Sequence, residues 1–150
     1  MNSLYWEAIA FTQIRNRLMT SGVIPHKRIG VGVIANNQGQ ILIDRRLPSG
    51  LMAGLWEFPG GKIEVNESVE TCIVRELKEE LGIDVIVGEH LITIEHDYQE
   101  FKITLIVHHC RISRGEPQPL ECAEIRWVSL KEIEEFTFPE ANYQIIAALR

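Results

Sequence analysis

The sequence is short of basic residues and of long apolar stretches, and each shortage excludes a class of protein. Its 150 residues carry 15 Lys and Arg against 21 Asp and Glu, a formal charge of −6. A broad basic surface that grips nucleic acid by displacing counterions is therefore not expected. No apolar run approaches the roughly 20 residues of a membrane-spanning helix. The first residues also lack the basic start and apolar core of a signal peptide.

Cysteine is scarce as well. Cys72, Cys110 and Cys122 are odd in number and form no Cys-x-x-Cys pair, so neither a disulfide framework nor a zinc site is indicated. The hydrophobic content of 45% and charged content of 24% are ordinary for a globular protein. We therefore expect a cytoplasmic protein, monomeric or weakly dimeric, that does not bind membranes.

The first 28 residues are predicted to form a helix and a linker. Apolar residues recur at helical spacing at Leu4, Ala8, Phe11, Ile14 and Leu18. Ser21, Gly22 and Pro25 then end the helical pattern. The predicted helix over residues 4–18 either packs on the domain surface or serves as a partner-binding or linker segment. The remaining residues, 29–150, are predicted to form one domain.

Alternating strand and helix patterns fill that domain. A turn at residues 36–39 separates two strand-like runs and predicts a β-hairpin. A helix is predicted over residues 67–81, with Asn66 as its N-cap and Gly82 as its stop. A last helix is predicted from about Glu140 to Leu149. The predicted strands are 29–35, 41–45, 56–58, 84–87, 90–96, 101–110 and 124–128. This order indicates an α/β or α+β fold whose mixed sheet is covered on both faces.

A cluster of carboxylates lies on the predicted helix over residues 67–81. Glu76, Glu79 and Glu80 are spaced i, i+3, i+4 and so share one helix face. Such a face is either solvated or built to hold hard cations. Arg75 beside it can orient a carboxylate through paired hydrogen bonds, and the glycines before the helix can offer carbonyl oxygens as further ligands.

Magnesium suits this set of oxygen ligands. It takes few protein carboxylates and usually shares its coordination with substrate phosphates and water. Bound metal would neutralise phosphate charge and lower the pKa of an attacking water. The residues therefore indicate hydrolysis of a phosphoanhydride.

The same stretch resembles a known family signature. Gly61, Glu67 and the run from Arg75 to Ile83 fill every fixed position of GX5EX7REUXEEXGU, the Nudix box, at the right spacing. The resemblance implies an α/β/α sandwich with a mixed sheet. It also implies an enzyme that hydrolyses nucleoside diphosphates linked to another moiety, with Mg²⁺ or Mn²⁺.

Further segments are similar to the MutT-type 8-oxo-dGTP diphosphatases of that family. These are residues 55–64 before the box, Gly115-Glu116-Pro117, and Phe138-Pro139-x-Ala141-Asn142. The resemblance covers about residues 29–150. It implies metal ligation by Glu76, Glu79, Glu80, Glu121 and the Gly60 carbonyl, orientation of the box by Glu67 and Arg75, and nucleotide contacts from Arg46, Phe58 and Asn142.

Several of these roles have plain alternatives. Phe58, together with Trp56, is either an aromatic wall for the base or part of the core. Asn142 can read a purine edge through its amide, or simply cap a helix. For the further metal carboxylate, Glu116 and Glu124 compete with Glu121.

The leading hypothesis is a Mg²⁺-dependent pyrophosphohydrolase that converts 8-oxo-dGTP to the monophosphate and pyrophosphate. A rival within the same class acts on another nucleotide, such as CTP, dCTP or ADP-ribose, because the box supplies the chemistry and the loops choose the substrate. A rival of another class is a non-catalytic 8-oxoguanine recognition module, since residues 41–46 and 54–58 also resemble the C-terminal domain of the adenine glycosylase MutY.

Overall fold

The computed structural model describes residues 24–50 and 52–150, so the helix predicted over residues 4–18 lies outside the described residues. The elements in chain order are β1 (His26–Ile34), β2 (Ile41–Arg45), β3 (Trp56–Glu57), β4 (Gly60–Lys62), α1 (Val69–Leu81), β5 (Asp84–Tyr98), β6 (Phe101–Arg114), β7 (Glu124–Val128), a 3-10 helix (Glu132–Glu135) and α2 (Asn142–Ala148). Neither helix within these ranges has the length and apolar character needed for a membrane span.

The strands form two sheets that share the centre of the molecule. One has the order β4-β1-β6-β5 and the other β3-β2-β7. β1 runs parallel to β6, whereas the other pairings are antiparallel. The predicted mixed α+β architecture is therefore confirmed. Residues from Ile29 to Ile34 are buried on both faces of β1, as a central strand requires.

Two apolar clusters place the two helices in separate layers. Ile73, Leu77 and Leu81 of α1 pack in one cluster with residues of β1, β2, β5 and β6. Ile145 and Ile146 of α2 pack in the other, with the opposite side chains of the same strands and with β3. The helices thus cover different faces, as expected for a sandwich with helical outer layers.

The hairpin prediction for β1 and β2 is wrong. The turn forms, with Asn36 Oδ1 accepting hydrogen bonds from the backbone N–H groups of Gln38 and Gln40. Beyond it, however, the two segments share only an isolated bridge between Ala35 and Ile41. Each strand then pairs with distant partners in its own sheet, because burial against those partners outweighs the local turn.

Helix α1 begins two residues later than predicted. Asn66 has a φ of 63°, a left-handed conformation that an N-cap does not use. Ser68 is the N-cap instead, with extended backbone and its side chain accepting a hydrogen bond from the Thr71 N–H. The predicted stop is confirmed: Gly82 has a φ of 71° and its N–H bonds to the Lys78 carbonyl.

Candidate active site

Helix α1 divides its three clustered carboxylates between the interior and the surface. Glu76 and Glu80 are buried, whereas the side chain of Glu79 is 54% exposed. Glu76 and Glu80 lie one helical turn apart, and both border the apolar stripe of Ile73 and Leu77. Burial of a carboxylate is costly unless a partner or a cation compensates it, so this face is not merely a solvated acidic surface.

Arg75 holds the preceding loop and the helix together. Its Nε and Nη2 donate to the two carboxylate oxygens of Glu67 at 2.8 and 2.9 Å, a bidentate pair. Nη1 donates to Glu76 at 2.8 Å and Nη2 also reaches the Lys62 carbonyl at 3.0 Å. One guanidinium thus connects β4, the loop and α1.

Arg75 and Glu67 stabilise each other in their charged forms, and we call this pairing of Arg75 with Glu67 and Glu76 the Arg75 clamp. Hydrogen bonds from Arg75 lower the pKa of Glu67 from 4.5 to about 2, and the Glu67 hydrogen bonds raise the pKa of Arg75 in return. Glu67 also accepts a hydrogen bond from the backbone N–H of Glu64 at 3.0 Å. Glu67 is therefore a carboxylate at any physiological pH. Its hydrogen bonds connect the loop before α1 to Glu64 on one side and to Arg75 on the other.

Gly60 allows strand β4 to approach the central strand β1 closely. A Cβ at this position would lie 2.2 Å from the Gly30 carbonyl oxygen and 2.9 Å from the Val31 Cα, so only glycine fits the close approach of β4 to β1. Behind it, the Cys72 thiol donates to the carbonyl oxygens of Gly61 and Lys62, at 3.3 Å each. The backbone that precedes the helix is thereby held in one conformation.

Glu121 lies on the loop that connects β6 to β7, and this loop contacts both the end of α1 and the end of β2. The N–H of Leu120 bonds to the Glu80 carbonyl at 3.2 Å, and the N–H of Ala123 bonds to the Arg45 carbonyl at 2.9 Å. Glu121 therefore stands between the helix end and β2. Of its competitors, Glu124 pairs with Arg45 at 3.2 Å and with Arg126 at 3.3 Å, while Glu116 is exposed.

The residues with predicted base contacts lie together beside β3. Phe58 is fully buried and stacks on Phe138, with ring centroids 5.5 Å apart. Asn142 is the first residue of α2 rather than its N-cap, and its Oδ1 is 3.5 Å from the Phe58 N–H, a long hydrogen bond. Trp56 packs edge-on against Phe136, with ring centroids 5.0 Å apart. Tyr98 completes the group, with its hydroxyl accepting from the Ala141 N–H at 3.3 Å.

Two buried acidic residues beside Arg46 were missed by the sequence analysis, which named Arg46 itself. Asp44 and Glu57 are directly opposite in the β2–β3 ladder, and both are almost completely buried. Arg46, also buried, donates from Nη1 to Glu57 Oε2 at 3.2 Å. The available signal was an acidic residue inside each of two apolar runs, Ile41-Leu42-Ile43-Asp44 and Trp56-Glu57-Phe58.

The electrostatics of this group connect it to helix α1. Burial raises the pKa of Glu57 well above its usual range, and the Glu80 charge acts in the same direction. Arg46 and a hydrogen bond with Asp44 act against this increase. Arg46 and Glu80 are thus both within electrostatic reach of one buried carboxyl.

The donors around Glu80 fit a hard cation. Glu57 Oε1 is buried without a hydrogen-bond partner in the described chain, and the buried carboxylates of Glu76 and Glu80 share the same region. In residues 24–50 and 52–150, no three His, Cys, Asp or Glu side chains already converge on one point. Mg²⁺ needs only one or two protein carboxylates when phosphates and water complete its coordination, so this donor set is sufficient in kind.

Comparison with known proteins agrees with this geometry. A family model described as NUDIX domain matches residues 30–148. The 8-oxo-dGTP diphosphatase of Escherichia coli (strain K12) is 38% identical over 123 residues, covering 82% of this chain and 95% of that protein. The CTP pyrophosphohydrolase of the same strain is 35% identical over 118 residues, covering 79% and 87%. The crystal structure of the MutT protein from Methanosarcina mazei Go1 superposes with a TM-score of 0.74 at 28% identity, covering 83% and 92%.

Proposed function

The chain belongs to the Nudix hydrolase family, and we propose that within it the protein hydrolyses 8-oxo-dGTP and related oxidised purine triphosphates to the monophosphate and pyrophosphate. As a Nudix hydrolase it acts on nucleotide phosphoanhydride bonds. The observation that carries the proposal is the pairing of Arg75 with Glu67 and Glu76, because it holds in place the acidic helix face that would bind the metal. The similarity to the E. coli 8-oxo-dGTP diphosphatase supports the substrate.

The residues divide the work between phosphate and base. Mg²⁺ or Mn²⁺ held by Glu76, Glu79, Glu80, Glu121 and the Gly60 carbonyl would neutralise phosphate charge and make a bound water more acidic. Arg75 keeps the glutamates in position without contacting substrate itself. Arg46, which pairs with buried Glu57, would contact the nucleotide, and the bound metal would offset the phosphate charge in this acidic protein.

The base side of the site is proposed to provide the selectivity. The Asn142 amide offers both a donor and an acceptor and can read a purine edge that presents both. Phe58 would provide the apolar wall behind it, with Phe138 stacked against it. Rejection of an incorrect base follows when buried polar atoms would lose their partners.

CTP is the second candidate substrate, since the CTP pyrophosphohydrolase of E. coli is 35% identical over most of both chains. A panel of 8-oxo-dGTP, dGTP, CTP and ADP-ribose with Mg²⁺, scored by product identity and kcat/KM, separates the candidates. Preference for 8-oxo-dGTP with pyrophosphate release is expected. Equal or better turnover of CTP would replace the leading substrate.

The role of the helix carboxylates needs its own variants. Glu80→Gln is expected to lower kcat/KM by roughly 10²-fold or more, as expected when a group that organises transition-state charge is lost. Glu70→Gln, which removes an exposed carboxylate from the first turn of the same helix, is the matched control. If Glu79→Gln and Glu80→Gln both leave pyrophosphate release from every nucleotide unchanged, the catalytic assignment fails and a recognition module becomes the better account.

The expectations about setting belong to the same proposal. Hydrolysis of a free nucleotide requires neither a membrane nor bound nucleic acid, which is consistent with the charge of −6. We propose a cytoplasmic enzyme that is active as a monomer or weak dimer. Light scattering during turnover would test the oligomeric state.

A further inference from the structure

We propose that Glu57, held by Asp44, is a positioning residue that fixes the Arg46 guanidinium in the nucleotide site. The inference rests on the proposed function, because it takes Arg46 as a nucleotide contact. It concerns a buried group to which the sequence analysis gave no role.

The β2–β3 ladder places two acidic side chains opposite each other. Asp44 and Glu57 are cross-strand partners, so their side chains lie on the same face. Like charges in directly opposite positions destabilise a sheet, yet Asp44 and Glu57 are 1% and 0% exposed. Two buried carboxyls in these positions need a compensating charge, and the Arg46 guanidinium supplies it to Glu57.

Arg46 is connected to Glu57 by a buried ion pair. Its backbone N–H bonds to the Leu55 carbonyl at 2.9 Å, which continues the pairing of the two strands past Arg45. Its Nη1 donates to Glu57 Oε2 at 3.2 Å, with both side chains at most 2% exposed. A long arginine side chain has many rotamers in water, and a buried carboxylate partner selects one of them.

The buried Arg46–Glu57 pair orients the guanidinium rather than stabilising the fold. A buried ion pair contributes little net stability, since desolvation offsets attraction. Its value here is orientation: a preorganised donor costs no ordering when the nucleotide arrives. A stability role alone would be met as well by apolar residues of the same size, whereas a positioning role requires this charge and this shape.

A double-mutant cycle tests the proposal. The variants are Glu57→Gln, Arg46→Lys and their combination, with Glu95→Gln, at an exposed position of β5, as the charge-removal control. The readouts are KM and kcat for the preferred nucleotide, and the dissociation constant of the monophosphate product by titration calorimetry. Each single variant is expected to raise KM and the dissociation constant about tenfold, with kcat changed less than about threefold. For the double variant, KM and the dissociation constant are expected to exceed those of the weaker-binding single variant by no more than about threefold. The effects should not multiply, because both substitutions act through one guanidinium.

Asp44 provides the conservative rescue. Asp44→Asn retains a polar side chain of the same shape that can donate to Glu57 and is expected to bind nucleotide like the wild type, whereas Asp44→Ala is expected to match Glu57→Gln. Where Glu57→Gln does not fold, Asp44→Ala with and without Arg46→Lys gives the same cycle. Circular dichroism and the urea midpoint identify unfolded variants.

The outcomes separate this proposal from the proposed function. Multiplicative effects of Glu57→Gln and Arg46→Lys, or unchanged product binding in Glu57→Gln, would overturn the positioning role. A wild type that binds nucleotide without hydrolysing it, and still shows the non-additive cycle, would overturn the proposed function alone. A wild type that binds no nucleotide would overturn both.

Discussion

Replacement of Arg75 by alanine is the sharpest test of how the acidic helix is held. The guanidinium makes two hydrogen bonds to Glu67, one to Glu76 and one to the Lys62 carbonyl. Without it, the Glu67 and Glu76 carboxylates, whose side chains are 11% and 7% exposed, lose these charged donors in a partly desolvated site.

The size of the effect follows from these contacts. A hydrogen bond to a charged group contributes roughly 1.5–3 kcal/mol net, but the four bonds share one side chain and Arg75 is 30% exposed. After allowance for solvent screening we expect Arg75→Ala to lower the free energy of unfolding by about 2–4 kcal/mol at pH 7. Displacement of the glutamates should also lower kcat/KM by roughly 10²-fold.

The pH dependence gives an independent check. The folded-state pKa of Glu67 is depressed from 4.5 to about 2 by Arg75. A depressed pKa contributes stability that is complete above about 4.5 and is lost as the pH falls toward 2. The stability difference between wild type and Arg75→Ala should therefore be constant from pH 7 to about 5 and become smaller below that.

Urea unfolding followed by circular dichroism, at pH 7 and at about pH 3, measures this difference. Arg45→Ala is the matched control, since Arg45 forms an exposed pair with Glu124 expected to contribute about 0–1 kcal/mol. Arg75→Lys keeps the charge without the planar fork and should recover only part of the loss. Equal destabilisation by Arg75→Ala and Arg45→Ala at pH 7, or a difference that grows at low pH, would refute the clamp.

Substitutions of glycine and asparagine and labelling of cysteine test other parts of the same structure. Gly60→Ala should destabilise by about 3 kcal/mol or more, because its Cβ would lie 2.2 Å from a β1 carbonyl oxygen. Gly39→Ala, with a positive φ but open space, should cost only about 1 kcal/mol in the same unfolding assay. Burial raises the pKa of the Cys72 and Cys110 thiols to about 12, so Ellman's reagent at pH 8 should label them only after denaturation. Cys122 is only partly buried, so rapid labelling of more than one thiol in the folded protein would contradict the burial of the other two. Asn142→Ala should reduce the ratio of kcat/KM for 8-oxo-dGTP over dGTP by about tenfold, and an unchanged ratio would remove Asn142 from base recognition.

Local spacing was enough to predict the acidic helix. The i, i+3, i+4 pattern of Glu76, Glu79 and Glu80 depends only on helical geometry, and the glycine after Leu81 depends only on the left-handed C-terminal turn. Strand β7 over residues 124–128 was also predicted with the right bounds. For the helix, the determining interactions lie within a few residues along the chain.

Features that depend on distant partners could not be obtained in this way. The turn at residues 36–39 predicts a hairpin, yet β1 and β2 pair in different sheets, because each strand finds a larger buried partner elsewhere. The N-cap is Ser68 rather than the predicted Asn66. The loop before α1 is held by Arg75 and by the approach of β4 to β1. No local pattern contains those constraints.

By itself, then, the sequence determined the family, the acidic helix with its arginine, and the mixed fold, because each is written in short-range spacing. Only the tertiary structure decided that Glu76 and Glu80 are buried while Glu79 is exposed, and that Glu57 lies opposite Asp44 and pairs with Arg46. The physical reason is register. Which side chains share a face across two strands depends on pairing between segments far apart in the chain, and burial then sets their charge and their partners.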